Sequence, residues 1–241
     1  MADINIPPFA QSRFTHSPLI YGGGIRKAAA GPATPASLAF LQAAADGTNQ
    51  TTYNFASQNF GDEDATREIV VTVHWYGLTG ASALNSASIG GVSATIHVQN
   101  NDDLGGAFVG SAIISASVPT GTSGTISVTF SAQCLGAAIG AYRVINLSST
   151  TPHHTASDDD DVINMSLNIP ENGVLVACAM FETAGVVATS GMTEDFDATL
   201  ESAVQYVGGS GTGLSQETGR ALSFDGAVGP NGAAGVAASW A

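Results

Sequence analysis

Side chains along much of this chain alternate with a period of two, and that leaves little besides β structure for it to adopt. Residues 126–130 place Ile126, Val128 and Phe130 on one side and Ser127 and Thr129 on the other, residues 163–169 do the same with Ile163, Met165, Leu167 and Ile169, and residues 92–98 set Val92, Ala94, Ile96 and Val98 against Ser93, Thr95 and His97. A strand with this pattern buries one face and wets the other. Three further runs, residues 69–75, 139–145 and 174–180, are apolar on both sides and read as central strands covered above and below. Weaker strand signals lie at 38–44, 51–56, 108–118, 203–207, 220–224 and 236–240, with Gly, Asn, Asp or Pro clusters between them. Residues 38–45 also suit a short helix, since Ala and Leu favour that state and Ser37 supplies a cap. Roughly a dozen short strands separated by turn signals predict an all-β sandwich or barrel over residues 37–241. The loop at 147–161 is where two lobes would separate, but strand character is the same on both sides, so one sandwich is expected. No internal sequence repeat of the solenoid or propeller kind is visible.

Residues 1–36 are different. Pro7, Pro8, Pro18, Pro32 and Pro35, with Gly22-Gly23-Gly24, deny them a continuous helix or a central strand, so an extended arm is expected. The charges divide at the same place. Residues 1–27 carry Arg13, Arg26 and Lys27 against Asp3, whereas residues 28–241 carry three arginines against nineteen acids, a balance of −16. Such a body repels nucleic acid and anionic membrane, so neither is an expected partner. Spaced apolar residues in the arm point instead to protein contacts, and Phe9, Arg13, Phe14, Leu19, Tyr21, Arg26 and Lys27 are the expected assembly residues: rings and Leu19 in grooves of a neighbour, cations on its carboxylates. Residues 1–10 have no basic or apolar signal region, and no run of eighteen apolar residues occurs, so synthesis in a cytoplasm is expected. Cys134 and Cys178 then read as buried, reduced thiols.

The residue types that carry chemistry are present without the spacing it needs. Four acids, Asp158 to Asp161, follow His153-His154, and Asp62, Glu63 and Asp64, like Glu194, Asp195 and Asp197, form further acidic clusters. Consecutive acids in an extended loop point alternately outward and do not converge on calcium, so solvated loops are expected and no metal site is assigned. Two adjacent histidines without a third ligand make neither a structural nor a catalytic zinc site. His97 is read as pointing outward and His74 as part of a buried run. The run 208–213, Gly-Gly-Ser-Gly-Thr-Gly, misses the G-x-S-x-G register and reads as a flexible turn. Trp75, Tyr76, Tyr142, Tyr206 and Trp240 are the rings available for stacking a sugar, although their places in apolar strands favour packing. Neither an enzyme nor a cofactor is expected.

Four segments carry a resemblance. Arg67-Glu68-Ile69-Val70-Val71-Thr72-Val73, Ser88-Ile89-Gly90-Gly91-Val92-Ser93-Ala94-Thr95, the run 118–130 beginning Val118-Pro119-Thr120-Gly121, and Gly140-Ala141-Tyr142-Arg143-Val144 resemble a family of virion proteins of tailed bacteriophages, especially phages of marine alphaproteobacteria, with related modules in phage fibres and bacterial surface proteins. The likeness covers about residues 38–241 and rests on turn and core positions. It implies a jelly-roll-like sandwich on a virus particle. The expectation is therefore a non-enzymatic virion structural protein, a capsid decoration or cement protein anchored by its arm, with the major capsid protein and further copies of itself as partners. The alternative is a host-receptor- or glycan-binding module of a tail or head fibre.

Overall fold

The computed structural model describes residues 34–78, 80, 82–201, 204–226 and 232–241. Among the described residues there is no helix, and seventeen strands pair antiparallel in four sheets. In chain order the first nine are β1 (Ser37–Asp46), β2 (Gln50–Asn59), β3 (Glu68–Gly77), β4 (Leu84–Ile89), β5 (Val92–Ser93), β6 (Thr95–Asp103), β7 (Phe108–Ser117), β8 (Ser123–Cys134) and β9 (Gly136–Ile145). They hydrogen-bond as β1-β9-β3-β7-β6 and β2-β8-β4-β5. That is jelly-roll order: the last strand lies beside the first, and the chain steps between two facing sheets at nearly every turn.

The remaining strands are β10 (His154–Asp158), β11 (Val162–Ile169), β12 (Gly173–Phe181), β13 (Val187–Ser190), β14 (Thr193–Leu200), β15 (Val204–Leu214), β16 (Glu217–Gly226) and β17 (Ala233–Trp240). Their sheets run β10-β17-β12-β15-β14 and β11-β16-β13. Putting β10 to β13 for β1 to β4 and β14 to β17 for β6 to β9 turns one topology into the other, and only the short β5 lacks a counterpart. A sandwich is present as expected, but the expectation of one sandwich of about a dozen strands is corrected: there are two, with seventeen strands among the described residues. The two rolls are not separate bodies, because Thr34–Ala241 form one compact unit.

Three apolar layers hold the four sheets. The first, with Val71, Val73, Trp75, Ile126 and Val128, lies between the two sheets of the first roll, and the third, with Leu167, Ala177, Ala179 and Phe224, lies between those of the second. The middle layer joins the rolls: Val70, Ile113, Tyr142 and Val144 from the β3 sheet meet Val176, Met180, Val236 and Trp240 from the β12 sheet. Successive side chains of a strand face opposite ways, so β3, β9 and β12 feed two layers at once and must be apolar throughout. This also accounts for the absence of a composition change at the boundary near residue 146. Cys134 belongs to the first layer and Cys178 to the middle one; both are buried and unpaired.

Local preference yields to this packing in two places. Residues 38–45 are strand rather than helix, paired with β9 from Ser37↔Ile145 to Asp46↔Ala137, because Leu38 and Phe40 are needed against the middle layer. The glycine run 208–213 is not a flexible turn but lies within β15, where a Cβ on Gly208 would stand 2.4 Å from the Phe196 ring. The same ring would meet a Cβ on Gly140 at 2.3 Å, so Phe196 is wedged between a glycine of each inner sheet. Gly90 and Gly91, with φ of 59° and 82°, form the two-residue hairpin between the paired Ile89 and Val92.

The strand register gives a simple test. Ile126 is fully buried while Thr129, three residues on, is only half-buried on the opposite face. Ile126→Val should lower stability by about 1 kcal/mol, and Thr129→Val should be nearly neutral. Denaturant midpoints compare the two, and equal losses would contradict the register.

Candidate functional site

The expected assembly residues Phe9, Arg13, Phe14, Leu19, Tyr21, Arg26 and Lys27 lie outside the described residues. Within the body, a polar cleft at the seam of the two rolls brings together Glu68, His97, Ser115 and Ser117. Its base is Glu68, the first residue of β3. Alternation turns Glu68 to the same side as Val70, and the partner strand β7 presents Ser115 and Ser117 there, with Ser117 directly opposite Glu68 and Ser115 opposite Val70. Glu68 as a residue is 4% exposed. Ser115 Oγ donates to its Oε1 at 2.6 Å and Ser117 Oγ to its Oε2 at 2.5 Å.

His97 completes the relay from β6. The register between β6 and β7 shifts between Ile96 and Val98, and this irregularity swings His97 inward, to 2.8 Å from Ser115 Oγ and against the Trp240 ring at 5.7 Å. The sequence reading of an outward His97 is therefore corrected: strict alternation fails at a bulge. The far wall is residues 146–153, which are tied to the last strand by Ser148 N donating to Ala241 O, His153 N to Ser239 O and Trp240 Nε1 to Thr150 O. Two cavities adjoin here, one of about 250 Å³ above Glu68 and one of about 510 Å³ bounded by His153 and His154, and they share His97 and Thr151. His154 is not part of a free loop as expected but begins β10, and its Nδ1 accepts from Asn168 N.

Proton placement decides what this relay can do. Ser115 has one hydroxyl hydrogen, and it is committed to the Glu68 carboxylate. His97 Nε2 must then be the donor to Ser115 Oγ, which excludes the neutral Nδ1–H tautomer. Burial pushes the His97 imidazole below its ordinary value, in keeping with a neutral ring. A nucleophilic serine needs the reverse, a histidine that accepts the serine proton and is itself held by the acid. The order His97, Ser115, Glu68 orients hydroxyl oxygens instead of activating one.

The acidic clusters are used in turns and at strand ends. Asp158 accepts from Asp159 N and Asn164 N, Glu63 from Gly121 N, and Asp197 from Val187 N and Gln205 Nε2. Two hydrogen bonds from Thr66 hold the Asp64 carboxyl below its usual range. No three His, Cys, Asp or Glu side chains converge to hold a metal among the described residues. The five rings considered for sugar stacking, Trp75, Tyr76, Tyr142, Tyr206 and Trp240, are all buried. A second groove, of about 640 Å³, runs between β1 and β14 to β16, with Leu38, Phe40, Asp195, Ser210 and Arg220 on its walls. Burial raises the Asp195 carboxyl, while Arg220 is engaged by Glu217 at 2.9 Å and by Gly191 O.

Two of the segments that carried the resemblance, 67–73 and 118–130, meet in a different feature, a buried arginine clamp. Arg67 is 1% exposed, and its guanidinium donates to the carbonyls of Phe60, Gly61 and Asp62 on the β2–β3 loop and of Val118, Thr120 and Gly121 on the β7–β8 loop. Sequence reasoning did not single out Arg67, Glu68, Ser115 or Ser117. The available signal was a charged pair at the head of a strand apolar on both faces, where charge has no place unless it is answered. No protein-family model matches this chain, and no curated protein or solved structure matches it either.

Proposed function

We propose that this protein is a non-enzymatic structural component of a tailed-phage virion, a decoration or cement protein of the capsid shell that is held to its neighbours by residues 1–36. The observation that carries this reading is the use made of the reactive residue types. Arg67, Glu68, His97 and the loop acids are committed to internal hydrogen bonds that fix loops and strand ends, as suits a rigid body that endures rather than one that turns over a substrate. The acidic body keeps many copies from clumping while the faintly basic, apolar arm makes the attachment. The partners in this reading are the major capsid protein and further copies of the chain, in a particle assembled in the host cytoplasm.

The test is deletion of residues 1–30. The truncated protein should remain folded and monodisperse, since the first strand among the described residues starts at Ser37, and it should no longer join particles. Attachment of the full chain should weaken only modestly between low and high salt, with Phe14→Ala more harmful than Arg13→Ala, because screening reaches exposed pairs and spares buried rings. A truncated protein that still binds would refute the arm. The alternative reading, a glycan- or receptor-binding module of a fibre, draws on the groove of about 640 Å³ with Phe40 and Asp195 on its walls. Copy number separates the two, hundreds per particle for decoration and a handful for a fibre.

A further inference from the structure

We propose that the cavity above Glu68 is a binding site for a hard divalent cation of the calcium class. Glu68 is 4% exposed, and among the described residues no Lys, Arg or His forms an ion pair with it; the one ion pair among those residues, Arg220–Glu217, lies on β16 away from this cavity. The hydroxyls of Ser115 and Ser117 satisfy one lone pair on each carboxylate oxygen but leave the negative charge in place. A buried carboxylate without a counter-charge is strongly disfavoured unless it is neutralised. The cavity offers the means: Ser93, Thr95, Thr150 and Thr151 surround the same space with neutral oxygens. Carboxylate plus hydroxyl oxygens is the ligand preference of hard cations, and no thiol lines the space that would favour a soft one. His97 Nε2 is committed to Ser115, so the ring orients a hydroxyl and does not ligate. A volume of about 250 Å³ accommodates a cation that keeps several of its waters, each taking roughly 30 Å³.

This site is distinct from the acidic loops, whose carboxylates do not converge. With a single carboxylate it should bind weakly, with Kd of roughly 0.1–1 mM, the range of extracellular calcium modules. Terbium is a suitable probe, because Trp240 packs on His97 at the cavity wall and can sensitise its emission. Excitation of tryptophan should give saturable terbium luminescence, millimolar Ca²⁺ should quench it by competition, and Ca²⁺ should raise the thermal midpoint of the full chain. Glu68→Gln should reduce terbium affinity at least tenfold. Ser93→Ala combined with Thr151→Val, which leaves the buried carboxylate intact, should weaken it severalfold and serves if the Gln variant fails to fold. Neutralising Asp159, Asp160 and Asp161 together should leave binding unchanged. Absence of sensitised emission and of any Ca²⁺-dependent midpoint shift in the parent protein would overturn the proposal. So would loss of binding in the Asp159–Asp161 variant with Glu68→Gln still active.

Discussion

Arg67→Met should lower the unfolding free energy by about 3–5 kcal/mol, the usual loss when one side of a buried charged network is removed. For a fold whose total stability is on the order of 5–15 kcal/mol, that is a large part of the whole. The guanidinium holds six carbonyls on two loops that have no strand partner of their own at those positions. Met fills much of the space but donates nothing, so the carbonyls must either stay unpaired or turn outward and drag Phe60 from its seat over Gly90 and Gly124. Arg67→Lys keeps the charge but offers three donors from one point, which cannot span both loops, and it should cost about half as much. Denaturant midpoints give the free energies. Hydrogen exchange at Phe60 N, which bonds Thr122 O across the two loops, reports whether they separate first. A Met variant within about 1 kcal/mol of the parent would mean that water replaces the guanidinium without penalty.

That clamp shows how far the sequence could be read. Its ingredients, Arg67 and the run 118–121, lay in segments noted for other reasons, and the pairing of residues 51 to 54 positions apart is a tertiary fact that no local pattern carries. Strands were legible wherever a side chain's environment follows from its neighbours in the chain: β3, β8, β11 and β12 were evident from period or from continuous apolarity. Edge strands without such a pattern were not. β13 and β14 are short or acid-rich, and β14 is strand because Phe196 is wedged between the inner sheets, a reason that lies in Gly140 and Gly208 and not in its own composition. The doubling of the roll was hidden for a related reason. Each inner sheet is covered by the other, so the boundary between rolls leaves no exposed face and no polar stripe to mark it. The seam cleft was missed because it depends on one bulge that turns His97 inward.

Acid should destabilise the protein through its middle layer, and His74 is the group responsible. It lies on β3 facing the second roll, fully buried, with Nε2 3.3 Å from Thr72 Oγ1 and its ring between Phe196 and Tyr206 at 5.8 and 5.5 Å. Burial, partly opposed by the Ala179 backbone, lowers its pKa from 6.5 to about 3. The folded protein therefore keeps this ring neutral where the unfolded chain protonates it. Between about pH 6.5 and 3 the unfolded state binds more protons, so stability is full above 6.5 and falls as pH drops through that window, by about 1.4 kcal/mol per unit and about 4–5 kcal/mol in all. Below pH 3 both states carry the proton and this loss stops growing. Asp195, a half-buried carboxyl whose pKa burial raises, acts in the opposite direction, so the measurement must be a difference between variants. His74→Leu keeps the volume apolar and leaves Thr72 Oγ1 its bond from Gly140 N at 3.0 Å, so it should sit within about 1 kcal/mol of the parent at pH 7. At pH 4 it should be the more stable of the two, by roughly 3 kcal/mol. Parallel stability curves for the two proteins from pH 7 to 3.5 would show that His74 is reached by water or paired in the fold, and would place the acid sensitivity of the joined rolls elsewhere.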